Sequence, residues 1–170
     1  MTADVKVRRA HPGDVSAVQD VADESWHEAY DDILGSETVD AVLDEWYEDA
    51  AIEAGVENDA QDFFVAVRED DETAVLGYAH VGPHPPRRVH QLYRLYVRPD
   101  EWDQGIGKAL LAEVEQALFD RDISAYEAEV FAGNDRGVAF YEATGFERVE
   151  TDATELQGVT AEEHIYRKRL

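Results

Sequence analysis

Apolar and polar positions change period along the chain, and the changes mark its elements. Val5 and Val7 alternate with Lys6 and Arg8, which predicts a first strand to Arg9, closed by His11-Pro12-Gly13-Asp14, a turn that also caps a helix. Val15, Val18, Val21, Ala22, Trp26 and Tyr30 then recur at helical spacing. A second helix is predicted from about Ser36, with Val39, Val42, Leu43, Trp46 and Tyr47 on one face. Ala54 to Gln61 reads as a polar connection. Phe63 to Val67 and Ala74 to Val81 form a hairpin about the acidic turn Glu69 to Thr73, with Gly77 marking a bulge or a close backbone approach. Gly82-Pro83-His84-Pro85-Pro86 breaks the chain, and Val89 to Val97 supplies a third long strand.

Beyond a glycine loop, Ile106, Leu110, Leu111, Val114 and Leu118 mark the apolar face of a helix reaching about Phe119. Ser124 to Phe131 alternates as a strand with Glu127 and Glu129 on a wet face. Gly133-Asn134-Asp135 caps a short helix carrying Val138, Phe140 and Tyr141, and Phe146 to Val149 with His164 to Lys168 closes a last hairpin. Hairpins and crossovers are mixed in this order. The expected fold is therefore α/β, a mixed, mostly antiparallel twisted sheet of six to seven strands flanked by about four helices, in one domain over residues 1–170.

Composition narrows the function classes. The chain lacks cysteine, so disulfides, thiolate metal sites and a cysteine nucleophile are excluded. His80, His84 and His90 have no acidic partner at ligand spacing, and no Gly-x-Ser-x-Gly elbow is present, so neither a metal site nor serine hydrolysis is expected. No basic start followed by an apolar run, and no apolar stretch of roughly 18 residues, is found, which points to a soluble cytoplasmic protein without membrane partners. A net charge of −24 opposes binding to nucleic acid and to anionic membranes. The charge is uneven, because Arg87 to Lys108 carries five cations against three acids.

That least acidic segment contains the most informative stretch. Leu95-Tyr96-Val97-Arg98-Pro99 followed by Gln104-Gly105-Ile106-Gly107-Lys108-Ala109 reads as buried strand, glycine loop and helix start, which is an anion site built from unpaired N–H groups and the helix dipole. A dinucleotide fingerprint fails because Leu110 stands at its third glycine. A P-loop fails because Trp102 and Ala109 stand where it needs glycine and Ser/Thr. The stretch instead resembles the GNAT superfamily of acyl-CoA-dependent N-acetyltransferases, whose Gln/Arg-x-x-Gly-x-Gly/Ala signature follows a Leu-x-Val-x-Pro-like strand end. Trp102 departs from the Gln or Arg of that signature. A second segment, Asn134-Asp135-Arg136-Gly137-Val138-Ala139-Phe140-Tyr141-Glu142-Ala143-Thr144-Gly145-Phe146, resembles the family's Asn-x-x-Ala-x-x-Phe-Tyr-x-x-x-Gly-Phe run, with Gly137 for alanine.

The resemblance implies a GNAT-like fold and acetyl-CoA as co-substrate, held by Leu95, Tyr96, Val97, Trp102, Gln104, Gly105, Ile106, Gly107, Lys108, Ala109, Asn134 and Tyr141. It implies direct attack of a primary amine, on a small molecule or a peptide, through a tetrahedral intermediate. The Val97 N–H would polarise the carbonyl and Tyr141 would be the general acid. Trp26, Tyr30 and Gln91 are the implied acceptor-side residues, with Trp46 as a further wall. Gln91 occupies the position where some relatives carry a glutamate base. A water chain leading the proton to solvent is the first alternative for that role, ahead of His80, His90, Glu127 and Glu129. A noncatalytic acyl-CoA-binding or sensing module is the rival function, and the exposed edge of the last hairpin offers a route to a homodimer.

The acidic balance also suits a salt-rich cytoplasm, where the Debye length shrinks to about 3 Å at 1 M salt and self-repulsion is screened. The thermal unfolding midpoint is accordingly expected to fall on transfer from molar to millimolar salt. An unchanged or higher midpoint at low salt would refute this account of the charge.

Overall fold

The computed structural model describes residues 4–170. Its strands are β1 (Val5–Arg9), β2 (Asp62–Arg68), β3 (Asp71–His84), β4 (Val89–Val97), β5 (Ala125–Phe131), β6 (Glu147–Leu156) and β7 (Val159–Arg169), and its helices are α1 (Val15–Leu34), α2 (Ser36–Trp46), α3 (Asp49–Glu57), α4 (Ile106–Asp120) and α5 (Asp135–Ala143). The strands form one sheet in the order β1-β2-β3-β4-β5-β7-β6. Only β4 and β5 pair in parallel, and every other neighbour is antiparallel. No helix among the described residues is long and apolar enough to cross a membrane.

Strand alternation gives the sheet two apolar faces. Leu92, Leu95, Val97, Tyr126, Ala128 and Val130 pack with Ile106, Leu110 and Val114 of α4 and with Tyr141 of α5. Phe63, Val65, Tyr78, Tyr96 and Phe131 pack on the opposite face with Val18, Trp26 and Tyr30 of α1, Val39 and Val42 of α2 and Ile52 of α3. The α1 side is aromatic, with Trp26 and Tyr30 in edge contact at 4.6 Å between ring centroids and Tyr30 and Phe131 at 5.0 Å.

Three sequence expectations are corrected. The segment expected as a polar connection from Ala54 instead belongs in part to α3, whose Ile52 and Gly55 are buried against the sheet. A side chain at Gly55 would come within 3.0 Å of the His80 ring, so glycine sits inside this helix because it packs so closely. The strand expected to break at Gly82 runs on to His84, with Pro83 still in register opposite His90. The expected wet face of β5 is not wet at Glu127, which is 1% exposed.

Glu127 is gripped from two sides. Arg87, in the turn before β4, donates to it at 2.7 Å, and Arg167 of β7 donates at 2.6 Å. Burial opposes its charge, yet the two guanidinium groups outweigh burial and hold the carboxyl below the ordinary glutamate value of 4.5. A folded-state value below the unfolded one means that this contribution to stability is present above pH 4.5 and is lost as pH falls through the folded-state value. Glu127→Gln should destabilise the protein by roughly 2 kcal/mol at pH 7. Denaturant melts at pH 7 and pH 3.5 should show a smaller acid-induced loss in this variant than in wild type; an equal loss would show that Glu127 is not the group responsible.

Candidate active site

β4 and β5 pair only over His90–Leu92 and Tyr126–Ala128. Beyond that the strands diverge, and a bulge on β4 marks the point: His80 and Val81 of β3 face Arg94 and Leu92, so Tyr93 is the extra residue. Tyr93 and Arg94 both reach His80, the first at 5.5 Å between ring centroids and the second by donating to its Nδ1 at 2.7 Å. The Arg98 N–H donates to Leu76 O at 2.8 Å, so alternation turns the Val97 N–H to the other edge, where β5 has already left.

A cleft of about 980 Å³ fills this divergence, bounded by the starts of α4 and α5, the open edge of β4 and part of α1. Gly105 at the start of α4 has φ +81°, a conformation that favours glycine, and no side chain caps the helix. The first intrahelical bond is Ala109 N–H to Gly105 O, so the N–H groups of Ile106, Gly107 and Lys108 have no helical partner, and these residues line the cleft. Gly107 also meets a packing need. A side chain there would meet Phe140 of α5 at 3.1 Å, so this glycine lets α4 and α5 approach each other.

Most expected cofactor residues converge here. Leu95, Tyr96, Val97, Trp102, Gly105, Ile106, Gly107, Lys108, Asn134 and Tyr141 all line the cleft, whereas Gln104 and Ala109 do not. Tyr141 is 8% exposed, packed on Phe140, Phe146 and Tyr166, and burial pushes its phenol well above the ordinary tyrosine value. Asn134 caps α5 by accepting the Gly137 N–H at 3.0 Å, and its amide nitrogen lies 3.4 Å from the Tyr30 hydroxyl. The Tyr30 hydroxyl lies in turn 3.1 Å from that of Tyr96, and burial pushes its pKa up to about 12. The departure from alanine at Gly137 is local, because a side chain there would strike Val130 and the amide of Asn134.

A second cavity of about 510 Å³ lies on the α1–α2 side. Trp26, Trp46, Tyr47, Tyr93 and Tyr96 form its aromatic walls, Gln91 lines it, and Glu129, Glu155 and Glu163 bring carboxylates. Its cation, Arg94, is already bonded to His80 and to Trp46 O and lies 4.8 Å over the Tyr47 ring. Tyr30, Tyr96 and Glu129 line both cavities, which therefore meet at the divergence of β4 and β5.

The base candidates separate clearly. Glu127 is committed to its two arginines. His80 is buried, and desolvation together with Arg94 brings its pKa down to about 3, with Gln61 Oε1 2.7 Å from its Nε2. His90 precedes the bulge and stays on the face opposite Gln91, outside both cavities. Glu129 alone of these lines the junction. It has no cationic partner within bonding distance among the described residues, and the surrounding protein raises its carboxyl above the ordinary range, with Glu127 adding to the effect and His84 and Arg87 opposing it. Glu163 on β7, opposite Phe131, is raised to about 7 by burial and by the charges of Glu129 and Asp152. The sequence named Glu129 only as one of several options, and Glu163 carried no signal at all, because its approach to Glu129 depends on β7 pairing with β5.

An extended open strand edge, uncapped helix N–H groups and a cleft of this size fit an acyl-CoA. The model of the Acetyltransferase (GNAT) family matches residues 19–146, and the chain belongs to that family. It is an acetyl-CoA-dependent N-acetyltransferase. It is 28% identical over 162 residues, 94% of this chain and 90% of the relative, to the uncharacterized N-acetyltransferase YuaI of Bacillus subtilis (strain 168). It is 24% identical over 153 residues, 89% of this chain and 94% of the relative, to the spermidine N(1)-acetyltransferase of Thermoplasma acidophilum. In fold it is similar to the crystal structure of PaiA N-acetyltransferase from Thermoplasma acidophilum in complex with coenzyme A, with a TM-score of 0.84 and 24% identity over 98% of this chain and 99% of that one.

Proposed function

We propose that this chain acetylates a primary amine of a cationic small molecule that enters through the aromatic, acidic cavity on the α1–α2 side, while acetyl-CoA lies in the cleft between β4 and β5. The observation that carries this reading is the junction: Tyr30, Tyr96 and Glu129 line both cavities, so a donor in one and an acceptor in the other meet at one place. Aromatic faces attract ammonium groups, and the carboxylates of Glu129, Glu155 and Glu163 add charge of the right sign. The spermidine acetyltransferase among its relatives agrees with a cationic acceptor.

Acetyl-CoA supplies an activated thioester carbonyl. The chain's own groups then divide the work. The Val97 N–H, at the open edge of β4, donates a hydrogen bond to the carbonyl oxygen as charge develops there. Tyr141, kept protonated by burial, donates to the departing sulfur. Glu129 takes the proton from the incoming ammonium, directly or through water, because an amine must be neutral to attack. Gln91 lines the acceptor cavity as a hydrogen-bonding wall rather than as a base.

Thiol release from acetyl-CoA over a panel of diamines, monoamines and N-terminal peptides tests the reading, and binding without release on any of them would favour a sensing module. Tyr141→Phe should lower kcat by about 10²-fold with little change in the KM of the amine; full turnover with an unchanged pH profile would remove Tyr141 from the chemistry. The wild-type rate should climb with pH through the raised pKa of Glu129, since the base works only when deprotonated. Glu129→Gln should lose both the rate and this acidic limb. Persistence of the limb in that variant would assign the proton to another group.

A further inference from the structure

Trp102 stands where the family signature carries Gln or Arg, and the structure shows what its ring does instead. The indole Nε1 donates to Val97 O at 2.9 Å, tying the loop to the end of β4. Across the cleft mouth, the guanidinium of Arg136, in the first turn of α5, lies 4.2 Å over the indole centroid. Arg136 Nη1 also donates to Asp103 Oδ1 at 3.0 Å, and both partners of that pair are more than half exposed.

Charge makes this contact pointed. CoA brings a diphosphate and a 3′-phosphate to a protein of net charge −24. Among the described residues the only cations lining the cleft are Lys108 and Arg136, against five carboxylates. A guanidinium held over an aromatic face has lost much of its freedom before a ligand arrives and still has N–H groups to offer an oxyanion. Its pair with exposed Asp103 is worth little in water, so a phosphate can replace it.

We propose that Arg136, seated on Trp102, grips a phosphate of CoA and so supplies from α5 the polar contact that the loop lacks at Trp102. On binding, Arg136 exchanges Asp103 for the phosphate. Trp102 acts as a platform and positions Arg136. This inference rests on the cleft being the acetyl-CoA site.

Calorimetric titration of the intact protein with CoA and with dephospho-CoA, which lacks the 3′-phosphate, tests it without any turnover. Arg136→Ala should weaken CoA binding about 10-fold or more and flatten its dependence on salt, while the melting temperature stays near wild type because the residue is half exposed. Arg136→Lys should recover part of the loss, and Trp102→Leu should lose an intermediate amount. A penalty for Arg136→Ala that persists with dephospho-CoA assigns the diphosphate, and one that vanishes assigns the 3′-phosphate; either supports the proposal. Wild-type affinity in Arg136→Ala overturns it while leaving the cleft as the CoA site. Absence of CoA binding by the wild type overturns both.

Discussion

The backbone hydrogen bonds that β4 and β5 do not make are the constraint on which the site depends. A strand edge inside a protein is costly unless water or a ligand meets its N–H and C=O groups, so two neighbouring parallel strands would ordinarily zip together. Here they are held apart. Glu127 with Arg87 and Arg167 clamps the paired end, the bulge at Tyr93 re-aims β4, and Tyr30 stands between Tyr96 and Phe131 as an aromatic wedge. The wedge is hydrophobic core and active-site wall at once, because Tyr30 of α1 and Tyr96 of β4 pack in the α1-side core while lining both cavities.

A strongly acidic chain that binds a polyanion must solve a local problem of charge. Many of its arginines are already engaged with buried carboxylates: Arg8 with Asp14, Arg9 and Arg121 with Asp62, Arg87 and Arg167 with Glu127. Those pairs hold the sheet together and leave few cations for ligands. The start of α4 answers with backbone N–H groups, whose partial charge needs no side chain. On the far side Glu129, Glu155 and Glu163 meet the aromatic cavity, where carboxylates suit a cationic ligand.

The strand, glycine loop and helix start were legible because their pattern is local: a strand end, a glycine at positive φ and a helix face lie within one stretch of the chain. Tyr141 and Asn134 were legible as part of a second contiguous run. What escaped depended on distant partners. The helix Asp49–Glu57 was hidden because only three of its residues face the core, and its glycine makes sense only beside His80. Alternation put Glu127 on a wet face, but the face is covered by arginines from Arg87 and from β7, forty residues away in either direction. Gly107 lines the cleft and is also the point of close approach to Phe140, which no spacing within its own loop could reveal.

Two cavities that share a wall also bear on how the acetyl group travels. An acyl-enzyme route needs a nucleophile at the junction with a base beside it. The chain has no cysteine, and Ser25, which lines the cleft, donates its hydroxyl to Val21 O at 2.7 Å within its own helix. Neither His80 nor His90 reaches either cavity in a state to assist, since His80 is neutral and hydrogen-bonded on both nitrogens and His90 lies on the other face. Tyr141, whose phenol is held protonated, is suited to giving a proton and unsuited to attacking a carbonyl. The acceptor amine is then the nucleophile that the geometry provides for, and the divergence of β4 and β5 is the opening through which it reaches the carbonyl directly.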